Sequence, residues 1–219
     1  MHLVWDWNGT LFNDLEVVVK SVNSVLANIG GPTIDADAYR SHYTRPVKLF
    51  YDKLVGREFT TEEWLELDSE FHKVYVSSLD SAFLTDDAHL ALETVATGGN
   101  TQSLLSMLPH VLLMPLVERF EMGHYFDRID GHQGDIGTPG DFKSAYLARH
   151  LEALTREDAP GTVAVIGDTP DDAVAALAVG AKIVLYDGGS HHRSDLDVVG
   201  VPVTSTLLEA VELVLKSEV

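Results

Sequence analysis

The strongest constraint on the fold lies in the second half of the chain, where short apolar runs alternate with amphipathic stretches. "TVAVIGD" (162–168) and "AKIVLYD" (181–187) read as buried strands, with "DDAVAALAV" (171–179) between them as a helix stopped by Gly180. "TQSLLSM" (101–107) and "DRIDGH" (127–132) extend the strand series. "PHVLLMPLVERFEM" (109–122), with Pro109 at its start, "KSAYLARHLEALTRE" (143–157) and "TLLEAVELVLK" (206–216) supply helices, the last after a loop. Strands that are apolar throughout and separated by helices predict a parallel sheet covered on both faces.

One further strand, at the start of "VWDWNGTLFND" (4–14), belongs to the same sheet but is followed by helical patterns only, up to about residue 91. Leu15, Val18, Val19, Val22, Leu26 and Ile29 recur at helical spacing, opened by Asn13 with Glu16 and closed at Gly30-Gly31. A second helix is expected near Asp35, and a third from Pro46 to about Gly56. A fourth over about 61–78 opens on the capping pair Thr60 and Glu63, and a fifth, "DDAHLALETVAT" (86–97), stops at Gly98-Gly99. The fold class predicted is therefore α/β, a doubly wound parallel sheet (1–13 and 92–219) carrying an inserted all-helical lid (14–91).

Composition narrows the functions open to such a fold. A net charge of −19 argues against a nucleic-acid partner, since phosphate backbones need a basic face. An anionic substrate would need local compensation from a divalent metal, placed lysines or arginines, or helix N-termini. The apolar run "VLLMPLV" (111–117) is far too short to span a bilayer, so no membrane association is expected. "MHLVWDW" is read as entering a strand at once, with no signal peptide ahead of it. With no cysteine there are no disulfides, thiolate metal sites or thiol catalysis, and a cytoplasmic location is expected.

In parallel α/β sheets ligands sit at the carboxyl ends of the strands. Here those ends present Asp6, Ser106 and Asp168, while Lys143 opens the helix that follows "DRIDG". Each alone has a bland reading. Asp-x-Asn-Gly is commonly a turn, Ser106 a cap for the helix at Pro109, Lys143 a surface lysine, and Asp171 a local feature of a strand-to-helix loop. His191, His192 and Arg193 read as an exposed loop, and Arg45 with Lys48 as a solvated helix start or as contacts for a substrate's far end, with Arg45 the substrate candidate.

Together the four motifs resemble those of the haloacid dehalogenase-like superfamily, in the branch similar to phosphoglycolate phosphatases with a helical cap. "DWNGTL" (6–11) resembles the nucleophile motif DxDGT[LV] except at its third position, and Ser106, Lys143 and "GDTPDD" (167–172) follow in the family's order. "YFDRIDG" (125–131) is similar to the segment that precedes the family's lysine. The resemblance implies a Mg²⁺-dependent phosphohydrolase forming an aspartyl-phosphate on Asp6. Metal ligands would be Asp6, the backbone carbonyl of Asn8, Asp168 and Asp172. Phosphate ligands would be Trp7, Asn8, Ser106, Met107 and Lys143. Asp172 would orient Lys143 or a metal-bound water. The partner is then a small phosphorylated substrate, and the protein a monomer or homodimer.

Asn8 stands where the family usually has the aspartate that protonates the leaving oxygen. An amide cannot do this. The chain therefore favours good leaving groups such as acyl or aryl phosphates, or works slowly, or binds a phosphorylated ligand or partner without turnover. A working phosphohydrolase is the favoured reading, because the other motif residues remain. If Asn8 is merely a missing acid, Asn8→Asp is expected to speed alkyl ester hydrolysis roughly tenfold.

Overall fold

A computed structural model describes residues 1–133, 143–155 and 161–216. Six parallel strands form the central sheet: β1 (His2–Trp5), β4 (Thr101–Pro109), β5 (Ile129–His132), β6 (Val163–Gly167), β7 (Lys182–Tyr186) and β8 (Val203–Thr204), in the order β5-β4-β1-β6-β7-β8. The order reverses at β1, which puts the crevice for a ligand beside that strand. Helices α5 (Ala88–Thr97), α6 (His110–Arg119), α7 (Lys143–Thr155), α8 (Pro170–Ala178), α9 (Arg193–Asp197) and α10 (Leu207–Leu215) accompany it. One core layer joins Leu3, Trp5, Leu104 and Ile166 to α5 and α10, and a second joins Val4, Leu105 and Val165 to α7 and α8. The strands are apolar on both faces because both faces are covered. The sheet is of the class its apolar runs predict.

Register aligns the strand ends. Trp5 pairs with Leu104 on one side and Ile166 on the other. Asp6 therefore lies one residue beyond the paired level, and Ser106 and Asp168 two beyond, all on one rim.

Between β1 and β4 run α1 (Leu15–Asn28), α2 (Ala36–His42), α3 (Val47–Val55) and α4 (Thr61–Ser78), which share a core of their own around Val22, Leu26, Phe50 and Tyr51. Thr60 and Glu63 form the capping box read from the sequence, and Asp35 caps α2. Two expectations fail locally. Asn13 does not cap α1; Asp14 occupies that position, without a side-chain cap bond. The block is not helical throughout either. Asn13 belongs to β2 (Phe12–Asn13), which pairs antiparallel with β3 (Phe83–Leu84). Each of these strands is two residues long, too short for a period to register. We propose this ribbon as the boundary of the lid; the end expected at residue 91 falls inside α5, whose buried face packs with the sheet core.

The loop expected after β7 contains α9 and β8, and His192 is the N-cap of α9. This segment meets the lid. Arg40 donates from Nε to the Gly189 carbonyl and from Nη2 to that of Gly188, both at 2.8 Å, and Tyr43 meets the His191 ring edge-on. Among the described residues no helix is long and apolar enough to cross a membrane.

Candidate active site

Asp6 directly follows β1 and enters a tight turn in which the Thr10 and Phe12 amides donate to the Trp7 carbonyl, at 3.2 and 2.8 Å. Gly9 makes this turn possible twice over. Its φ is +73°, and a Cβ there would stand 2.4 Å from Oδ2 of Asp168. Across the rim, Gly189 is equally confined, since its Cβ would come 2.1 Å from the same oxygen. The two glycines let backbone close around one carboxylate. Asp168 accepts from Ser190 N and Oγ, both at 2.9 Å, and from Thr10 Oγ1 at 3.4 Å.

Lys143, the first residue of α7, is ion-paired with both Asp6 and Asp172. Asp172 has a divided role. Its Oδ2 closes the capping box of α8, accepting from Thr169 N at 2.9 Å and Thr169 Oγ1 at 2.7 Å, while Oδ1 faces Lys143. The helix start thus fixes the carboxylate that fixes the lysine.

Asp6, Asp168 and Asp172 are buried, and one oxygen from each lies within 4.8 Å of the others. Burial pushes Asp6 up to about 7, with Asp172 adding and Lys143 opposing. Burial, then the Asp6 and Asp172 charges, push Asp168 up to about 8. Asp172 is also disfavoured by burial, but Lys143 and Thr169 hold it below the usual carboxylate range. Burial works against the Lys143 ammonium, yet Asp172 and Asp6 keep its pKa above the ordinary lysine value. One lysine does not neutralise three buried carboxylates. A hard divalent cation with oxygen ligands fits this donor set and would relieve the crowding.

The other expected residues divide. Asp6, Asn8, Lys143 and Asp168 line one continuous cavity, with Met107 at its edge. The Trp7 side chain is not there; it is buried and stacked on Phe12 at 5.2 Å, while its backbone N–H donates to Asp6. Ser106 does not cap α6. Its hydroxyl accepts the Leu108 N–H at 3.0 Å, ahead of the helix, and donates to Asn8 Oδ1 at 3.4 Å. Arg45 pairs with Asp171 at 3.2 Å, so Asp171 reaches the lid rather than remaining a local loop feature. Lys48 pairs within its own helix, with Asp52.

Two residues that sequence reasoning passed over complete the neighbourhood of Asn8. Asn8 Nδ2 donates to Asp14 Oδ2 at 2.9 Å and to the Tyr75 hydroxyl at 2.8 Å. Tyr75 in turn donates to Asp14 Oδ2 at 2.5 Å, and Gly9 N–H donates to Asp14 Oδ1 at 3.1 Å. Burial raises the Asp14 pKa against the opposing bonds from Tyr75 and Asn8. Asp14 lies six residues from Asn8, but Tyr75 comes from α4, and no local pattern announces the triangle.

The family model for haloacid dehalogenase-like hydrolases matches residues 1–180. The chain belongs to this family. A phosphoglycolate phosphatase of Pseudomonas fluorescens is 20% identical over 195 residues, 87% of this chain and 70% of that protein. In fold the chain is similar to a predicted phosphatase from Clostridium acetobutylicum, with a TM-score of 0.79, 19% identity and 98% of each chain covered. It is likewise similar to a haloacid dehalogenase-like family hydrolase from Streptococcus pneumoniae, with a TM-score of 0.77, 19% identity and 96% of each chain covered.

Proposed function

We propose that this hydrolase is a Mg²⁺-dependent phosphatase that cleaves a small phosphorylated substrate through an aspartyl-phosphate on Asp6. The observation that carries the reading is the pairing of Lys143 with both Asp6 and Asp172, beside Asp168, in a buried strand-end cluster. A carboxylate oxygen of Asp6 attacks phosphorus, and the bond to the leaving oxygen breaks with its electron pair departing on that oxygen. Water then attacks the acyl phosphate, releases phosphate and restores the carboxylate. Lys143 offsets the negative charge of the transferring group, while Asp172 positions Lys143. Mg²⁺ held by Asp6, Asp168 and the Asn8 carbonyl would supply further charge neutralisation at the phosphoryl oxygens. Met107 and Arg45 both line the cavity.

The test is retention of a phosphoryl mimic. Beryllofluoride should bind the wild-type protein with Mg²⁺, and Asp6→Asn should lose both this binding and turnover. Wild-type activity in Asp6→Asn would end the nucleophile assignment.

A further inference from the structure

Beyond Asn8 the catalytic cavity opens into a second one beneath the lid, of about 370 Å³. The two share much of their lining, Asn8, Asp14, Val18, Tyr39, Trp64 and Met107 included, so a molecule with its phosphoryl group at Asp6 extends directly into it. Its wall is unusual for this chain. Of the 18 Phe, Trp and Tyr residues in the sequence, seven line this single cavity, among them Tyr39, Phe50, Tyr51, Trp64, Phe71 and Tyr75.

Charge narrows the occupant. Among the described residues Arg45 is the one Lys or Arg lining the cavity, and it is already paired with Asp171, while His72, which also lines it, faces Asp68. Two carboxylates, Asp14 and Asp68, line it as well. A leaving group ending in a carboxylate would meet repulsion there and no free cation. An apolar, uncharged group meets rings on several sides.

Two further observations specify that group. The Tyr51 hydroxyl is buried and lacks a hydrogen-bond partner among the described residues, and its residue is only 2% exposed. With that hydroxyl out of contact with the cavity, Tyr51 offers an occupant no polar side-chain atom. At the mouth, Asn8 commits its Nδ2 to Asp14 and Tyr75, and Asp14 accepts three donors. None of these groups can release a proton to a departing oxygen without breaking the network. A phenol leaves as an anion with a conjugate-acid pKa of ~10, as for tyrosine. Water, the reference for a simple alkoxide, lies at ~16.

We infer that this site takes phosphate monoesters of phenols, with the aromatic ring seated in the lid cavity and the phosphoryl group at Asp6. The inference rests on the phosphatase reading above and adds its substrate class. An engineered cavity of ~150 Å³ accommodates benzene, so the volume here admits a substituted ring. The P–O bond to the ring oxygen breaks, the phenolate takes the electron pair, and solvent protonates it.

Recognition and leaving-group chemistry can be tested apart. With Mg²⁺ present, phenylphosphonate should bind about tenfold or more tightly than methylphosphonate, the scale expected for burying a ring. Val18→Trp, which fills the cavity from α1, should abolish that preference, with Val22→Phe as an independent filling variant if the first does not fold. In turnover, phenyl phosphate should exceed ethyl phosphate and phosphoglycolate in kcat/KM by about 10²-fold, and benzyl phosphate should share the KM of phenyl phosphate but not its kcat. Acetyl phosphate separates the two readings. If it is hydrolysed in an Asp6-dependent way while the two phosphonates bind equally, or phenyl phosphate is no better than ethyl phosphate, the substrate class is wrong and the phosphatase stands. If no phosphate compound is turned over, both fall.

Discussion

The rim of the sheet and the cavity under the lid meet at Asn8 and are built on opposite principles. The rim gathers three buried carboxylates and one lysine, each fixed by the end of a strand or the start of a helix. The cavity gathers rings from α2, α3 and α4, and its carboxylates serve hydrogen-bond networks rather than a reacting group. The rim's geometry is a consequence of backbone, since parallel strands in register bring Asp6, Ser106 and Asp168 to one edge. The cavity's geometry is a consequence of packing between helices, which side-chain size and crossing angle decide. On the proposed function, chemistry is thereby separated from selection, and Asn8 is the hinge between the two.

The comparison breaks first at Asp6. If the rim alone holds the chemistry, Asp6→Asn should cut turnover by at least about 10³-fold for every substrate, whatever occupies the cavity. A loss confined to aryl substrates, measured against acetyl phosphate, would show that the two regions are not separate.

The next test concerns the hinge itself. If Asn8 is merely a missing acid, its replacement by aspartate should give roughly tenfold on alkyl esters. The hydrogen bonds of Asn8 point to a smaller gain. Asn8 donates to Asp14, at 2.9 Å, and Asn8→Asp replaces that donor with a second carboxylate that must compete with Asp14 for the Tyr75 hydroxyl. The single variant should therefore gain less than tenfold and lose stability at pH 8. Asn8→Asp combined with Asp14→Asn restores one donor and one acid, and should raise alkyl phosphate turnover by about 10–10²-fold. Steady-state rates on an alkyl and an aryl phosphate decide it, and equal rates in the single and double variants would refute the coupling.

A smaller effect sharpens the electrostatic contrast. Asp168 has a folded pKa of about 8 against an ordinary 3.8, so the folded state holds its proton across that interval. Its contribution to stability is full below pH 3.8 and disappears as pH rises through about 8. Without metal, the Tm of wild type relative to Asp168→Asn should fall steadily from pH 4 to pH 8. Added Mg²⁺ should oppose that fall, most strongly at the alkaline end. Thermal melts of both proteins with EDTA and with Mg²⁺ measure it, and a flat difference would show that the carboxylates are not crowded.

The smallest prediction falls in the cavity. Tyr51→Phe removes a buried hydroxyl with no partner among the described residues, and in the ligand-free protein should stabilise by about 1 kcal/mol. That corresponds to a Tm rise of about 2–4 °C for a chain of this size. A fall in Tm would mean that the hydroxyl is satisfied in the free protein.

The sheet and the rim were legible because both follow from short-range patterns. Apolar runs between helices specify parallel strands, and a carboxylate directly after such a run must fall at the ligand edge. The capping pair Thr60 and Glu63 was readable for the same reason, its partners being three residues apart. Even Asp172 carried a local signal, standing three residues after Thr169 in the arrangement that closes the start of α8. The ribbon of β2 and β3 was not legible, because two-residue strands have no period. Nor was Ser190, which holds Asp168 from a loop without any pattern of its own.

The sequence by itself determined the strand series, the four motif positions on one rim, and the absence of a carboxylate at position 8. These are properties of residues close along the chain, where hydrogen-bond periodicity and turn chemistry act. Only the tertiary structure decided what Asn8 touches, which rings line the cavity beside it, and that Asp171 pairs with Arg45 of the lid. Asn8 and Tyr75 lie 67 residues apart, and Arg45 and Asp171 further still. Contacts at that separation are fixed by how the lid packs on the sheet, and no local propensity carries that information.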